Sequence, residues 1–135
     1  MDRLFLDANV LFSAAYRADC GLLRLWRLRG VELITSAYAL AEAGANLDAP
    51  GQRTRLDHLA VKIVVVPEPA EAIALPAGAV LPAKDQPILA AAIRAQATHL
   101  LTGDARHFGR YFAKTIGGVM ILLPGDYLRD RASEA

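Results

Sequence analysis

Five short apolar runs, at residues 4–6, 31–35, 61–66, 99–101 and 119–122, alternate along the chain with segments whose apolar residues recur at helical spacing. Parallel strand neighbours need long crossover connections, and these are usually helical, so the alternation predicts an α/β fold with a central, mostly parallel sheet. Helices are expected over residues 21–29, where Leu22, Leu25 and Trp26 share a face, over 36–47 behind a capping Ser36, and over 53–59. Another is expected after Asp85, with Ile88, Ala91, Ala92 and Ala95 turned inward, and a short one near Arg106. Asp48-Ala49-Pro50-Gly51 reads as a turn. The β-branched run 61–66 reads as a strand buried on both faces, and the Ala/Pro/Gly-rich stretch 68–82 as a loop with one turn of helix. With 135 residues and no second composition regime, one domain is expected over residues 1–128, followed by a flexible charged tail over 129–135.

Charge excludes one route to function. The formal net charge is only +1, so any affinity for a polyanion must come from local clusters such as Arg24, Arg27 and Arg29, or Arg106, Arg110 and Lys114. Cys20 is the only cysteine, which removes an internal disulfide and fits a reducing cytoplasm. No apolar run approaches the roughly 20 residues of a membrane span. A 54% hydrophobic content is high for a monomer of this size and points to an interface.

Ligands in open parallel sheets bind beyond the carboxyl ends of the strands. Asp7 and Asp104 each follow the end of an expected strand, and Asp85 opens a helix at the same rim. Singly, Asp7 and Asp85 read as helix caps, Asp104 as a turn former and Glu42 as a surface residue of its helix. Together, carboxylates about 6 Å apart repel by about 3 kcal/mol per pair at an effective dielectric near 20, so the cluster needs protons or cations. Oxygen donors without nearby His or Cys suit Mg²⁺ or Mn²⁺, and an ion of that kind is suited to phosphodiester hydrolysis because it acidifies water and offsets phosphate charge. His107 follows Asp104 closely, but no Ser-His-Asp or Cys-His arrangement is evident, nor a Gly-rich phosphate loop.

Four blocks then carry a resemblance. Leu4-Phe5-Leu6-Asp7-Ala8-Asn9-Val10-Leu11, residues 36–47 around Glu42, Lys84-Asp85-Gln86-Pro87-Ile88-Leu89-Ala90-Ala91-Ala92 and Leu100-Leu101-Thr102-Gly103-Asp104-Ala105-Arg106-His107-Phe108 resemble, in order, the four blocks of PIN domains. The resemblance covers nearly the whole chain. It implies a three-layer Rossmann-like fold and a Mg²⁺ or Mn²⁺ site at Asp7, Glu42, Asp85 and Asp104. It also implies endonucleolytic cleavage of RNA, as in VapC-like toxins, which act as homodimers in the cytoplasm and are silenced by a small antitoxin. Asn9 is expected to orient Asp7, and Thr102 to orient Asp104 or touch a phosphate. Leu22, Leu25 and Trp26 are candidate dimer contacts. The competing readings are an inactive PIN-fold binding or scaffold protein, a housekeeping RNA-processing nuclease, and a phosphotransferase using Asp7 as nucleophile. The last normally carries a second aspartate where this chain has Asn9.

Overall fold

The computed structural model describes residues 1–67 and 74–134. Its centre is a six-stranded sheet in the order β3-β2-β1-β4-β6-β5, formed by β1 (Asp2–Leu6), β2 (Val31–Ser36), β3 (Ile63–Val66), β4 (His99–Leu101), β5 (Thr115–Ile116) and β6 (Val119–Leu122). Every pairing is parallel except β5 with β6. The helices are α1 (Ala8–Tyr16), α2 (Ala37–Ala45), α3 (Pro50–Ala60), α4 (Gln86–Arg94), α5 (Ala105–Phe108) and α6 (Pro124–Glu134), with 3-10 turns at Gly21–Arg27 and Gly109–Tyr111. The expected mostly parallel α/β architecture is therefore present.

The chain builds outward from β1 through β2 to β3, then crosses back so that β4 pairs with the opposite side of β1. The two halves diverge at the carboxyl ends of β1 and β4, where an open sheet leaves a crevice for a ligand. Leu4, Phe5 and Leu6 of β1 and Leu100 and Leu101 of β4 are fully buried, so this seam lies at the heart of the core. Burying aliphatic side chains of this size stabilises a fold by roughly 1.5–3 kcal/mol each, which anchors the strand ends that carry the acids.

Several local expectations are corrected. Strand β3 is not covered on both faces: it is an edge strand, with Val64 47% and Val65 41% exposed. Its β-branched residues satisfy strand geometry without signalling burial. Pro50 and Gly51 belong to the first turn of α3 rather than to a turn before it. Proline suits a first helical turn, where its missing N–H costs no bond, and the Gln52 side chain accepts from Ala49 N at 3.1 Å. Residues 21–27 wind as 3-10 rather than α-helix. Leu25 is fully buried in the chain's own core and is withdrawn as a dimer contact, while the Trp26 indole donates to Leu59 O at 3.1 Å. The two-residue strand β5 escaped notice because it depends on Gly117 and Gly118, both at positive φ. A Cβ on Gly117 would also lie 2.7 Å from the Ile93 side chain.

The residues expected as a frayed tail from Arg129 continue α6 to Glu134. Arg131 donates to Arg29 O at 2.8 Å, and Tyr127 OH donates to Asp2 Oδ2 at 2.6 Å, pinning the helix to the first strand. Within the stretch read as irregular, residues 68–73 lie outside the described part. Residues 74–82 form a loop in which the Tyr111 hydroxyl accepts from Val80 N at 2.7 Å and Leu81 is buried. No helix among the described residues is long and apolar enough to cross a membrane.

Candidate metal centre

Asp7, Glu42, Asp85 and Asp104 line one open cavity of about 640 Å³ at the carboxyl end of the sheet, together with Asn9, Ser13, Asn46, Lys84 and Gly103. The switch in strand order brings Asp7 and Asp104 together, because β1 and β4 are neighbours in register, with Leu6 opposite Leu101. Asp85 arrives at the head of α4 and Glu42 from the middle of α2.

Asp7 is the most tightly held of the four. Its Oδ1 accepts from Ala8 N at 2.6 Å, so it caps α1 and faces the cavity at once. Its Oδ2 accepts from Thr102 Oγ1 at 2.8 Å and Asn9 Nδ2 at 3.1 Å. Asn9 Oδ1 in turn accepts from Gly103 N at 2.7 Å, so this one side chain ties the end of β1 to the turn after β4. Thr102 is fully buried and holds Asp7 rather than the Asp104 carboxylate; toward Asp104 it only accepts from the backbone N at 3.1 Å. Burial pushes the Asp7 carboxyl up to about 6. The bonds from Thr102 and Ala8 pull against that rise, and the nearby Asp85 and Glu42 charges add to it.

Asp104 caps α5 through His107 N, which donates to its Oδ1 at 3.1 Å. The three-residue step from Asp104 also returns the His107 ring to the acids: Nδ1 lies 2.7 Å from Asp104 Oδ2 and 3.0 Å from Asp85 Oδ2. A ring nitrogen carries at most one hydrogen, which serves the nearer carboxylate, Asp104. Asp85 Oδ2 is left buried without a hydrogen-bond partner, and Asp85, at the N-cap position of α4, makes no side-chain capping bond. Its carboxyl is raised above the usual range by burial; the facing His107 lowers it, Asp104 raises it and Lys84 lowers it.

An orphaned buried carboxylate oxygen amid further carboxylates fits a divalent cation, since an unpaired buried acceptor is otherwise costly. Asp85, Asp104 and His107 each present a donor atom, all within 4.8 Å of one another. That corrects the expectation of an oxygen-only set with no imidazole near. The signal was present in the sequence: a His three residues after a helix-capping Asp occupies the same turn of helix. Glu42 is exposed on the solvent side of the cavity, a position that the surface reading and the site reading of this residue share.

Among curated proteins, none matches the chain in sequence. A solved structure of VapBC2 from Rickettsia felis, bound to a DNA fragment from their promoter, contains a chain with the same fold. The TM-score is 0.61 at 17% sequence identity, over 88% of this chain and 96% of that one. The family model for the PIN domain matches residues 3–106, a span that takes in all four acids. The chain belongs to the PIN domain family.

Proposed function

We propose that the protein is an endoribonuclease that hydrolyses RNA phosphodiester bonds with Mg²⁺ or Mn²⁺, and that it is the toxin of a toxin-antitoxin module. The observation that carries the reading is the convergence of Asp7, Glu42, Asp85 and Asp104 on one cavity at the topological switch of a PIN domain. Asp7, Asp85 and Asp104 would hold the ion directly or through water, and Glu42 would complete the set from the solvent side. A divalent cation there lowers the pKa of water and offsets the charge of the phosphate.

The chain's own residues do the rest. Thr102, Asn9 and the Ala8 amide keep the Asp7 carboxylate in one orientation without other adjustment. Lys84, the one cationic side chain among the described residues that line the cavity, would meet the phosphate at its mouth. The cavity is open, which suits a polymer entering from the side.

The likeness of the fold to a chain of the VapBC2 structure supports the toxin reading and a small antitoxin partner; a cytoplasmic homodimer belongs to the same proposal. Purified protein free of any partner is expected to cut single-stranded or structured RNA with Mg²⁺ or Mn²⁺, leaving a 5′-phosphate, and to stop in excess EDTA. Cleavage that persists without metal, or inactivity toward varied RNAs with no inhibitor bound, contradicts the proposal. Inactivity would favour the scaffold reading.

A further inference from the structure

We infer that His107 is itself a ligand of the metal centre, through Nδ1, and that this nitrogen makes the site prefer Mn²⁺ and its transition-metal neighbours over Mg²⁺. The inference rests on the metal-dependent reading above and sharpens it from a pair of candidate ions to one chemical class.

Nδ1 lies 2.7 Å from Asp104 Oδ2 and 3.0 Å from Asp85 Oδ2. Adjacent ligands of an octahedral ion with bonds of about 2.1 Å stand about 3 Å apart, so these separations match edges of one coordination shell. A single hydrogen on Nδ1 can satisfy only one of the two carboxylates, and Asp85 Oδ2 is the buried side-chain oxygen left without a hydrogen bond among the described residues. A cation at that point serves all three donors. The neutral ring then carries its hydrogen on Nε2, and the side chain is 24% exposed, so that hydrogen can be solvated.

The rest is donor chemistry. Mg²⁺ is a hard ion that prefers oxygen and retains its waters, whereas imidazole suits the first-row transition ions, with affinity rising from Mn²⁺ through Co²⁺. The same position is open to His107 because its backbone N already donates to Asp104 Oδ1, which fixes the first turn of α5 and leaves the ring free to face the acids. Replacing the ring therefore leaves the helix cap intact.

The test uses the full chain and reads binding rather than cleavage. Mn²⁺ and Mg²⁺ are titrated by calorimetry, and the Mn²⁺ form is examined by pulsed electron paramagnetic resonance for coupling to ring nitrogen, with ¹⁵N-histidine labelling as the check. Expected are Mn²⁺ binding about tenfold or more tighter than Mg²⁺ and a nitrogen coupling that changes on labelling. His107→Ala and His107→Asn should lose the coupling and about tenfold or more of the Mn²⁺ affinity while Mg²⁺ affinity stays within about threefold. Absence of nitrogen coupling in the wild type, or equal losses for both ions in the variants, overturns the inference and leaves His107 acting only by orienting Asp104. Failure of both ions to bind, or binding unaltered by Asp85→Asn and Asp104→Asn, overturns the metal centre itself.

Discussion

Thr102 Oγ1 donates to Asp7 Oδ2 at 2.8 Å, joining the turn after β4 to the end of β1 across 95 positions of sequence. The bond exists because the two strands are neighbours at the switch in the sheet, and it favours the charged form of a carboxyl that burial would otherwise protonate. Replacing Thr102 with Val keeps the shape and deletes the donor. A buried acceptor deprived of its partner costs about 1–3 kcal/mol, to be read by denaturant unfolding at neutral pH. The Asp7 carboxyl should also titrate higher than in the wild type, seen as an alkaline shift of its ¹³C resonance in a metal-free NMR titration and of the acidic limb of the cleavage profile.

Asp7 itself should give the metal-free protein an unusual pH dependence. An unfolded aspartate titrates near 4, whereas burial holds Asp7 at about 6, so between these values the folded state binds the extra proton. Asp7 thus contributes no penalty below about pH 4, and its contribution to stability falls as pH rises through the window. Above about pH 6 the penalty is complete, on the order of 3 kcal/mol. Urea unfolding of wild type and Asp7→Asn at pH 4 and pH 7, with chelator present, should show the wild type losing relative stability at the higher pH. Parallel changes in the two proteins would contradict it.

Much of the site could be read from the sequence because two of its acids sit where the chain changes period, at the end of an apolar run. Asp7 and Asp104 follow β1 and β4, and a parallel sheet brings the carboxyl ends of its strands to one rim, although only the strand order makes these two neighbours. The role of His107 was not legible in the same way: proximity to Asp104 was visible, but that Asp85, from the head of a different helix, meets the same ring nitrogen is tertiary information. Likewise β3 reads as a buried strand from its valines, yet strand order alone decides whether it is an edge. The course of α6 along the chain's first strand depends on Tyr127 finding Asp2 and Arg131 finding Arg29, contacts that span more than a hundred residues.

The anchoring of α6 can be tested directly. Tyr127 is 3% exposed, and its hydroxyl donates to Asp2 Oδ2 at 2.6 Å, a charge-assisted bond. Tyr127→Phe removes it with little change of volume and leaves Asp2 with its more distant Arg131 contact at 3.7 Å. A loss of about 1–2 kcal/mol is expected by chemical denaturation, with RNA cleavage unchanged because the bond lies at the end of β1 opposite to Asp7. Removal of residues 129–134 should also destabilise the protein, against the neutral outcome a free tail would give.

Assembly is the fourth expectation. Sedimentation at tens of micromolar should give a mass near twice the 14.5 kDa of one chain. The exposed Val64 and Val65 of β3 and the partly exposed Leu22 and Trp26 are the apolar positions to probe. A mass of one chain at that concentration contradicts the homodimer.

Sharing of one cation by Asp7, Glu42, Asp85 and Asp104 is tested most directly by metal-linked stability in wild type, Asp7→Asn and Asp7→Ala. Without metal, Asp7→Asn should be as stable as wild type or more so at pH 7, since it removes repulsion and an unfavourable buried charge. Asp7→Ala additionally loses the cap on α1, a cost of about 0.5–2 kcal/mol. Mn²⁺ at ten times its dissociation constant should stabilise the wild type by about 1.4 kcal/mol and both variants much less. If both variants melt well below wild type without metal, and Mn²⁺ or Mg²⁺ shifts all three proteins equally, Asp7 is only a helix cap and the shared metal centre is contradicted.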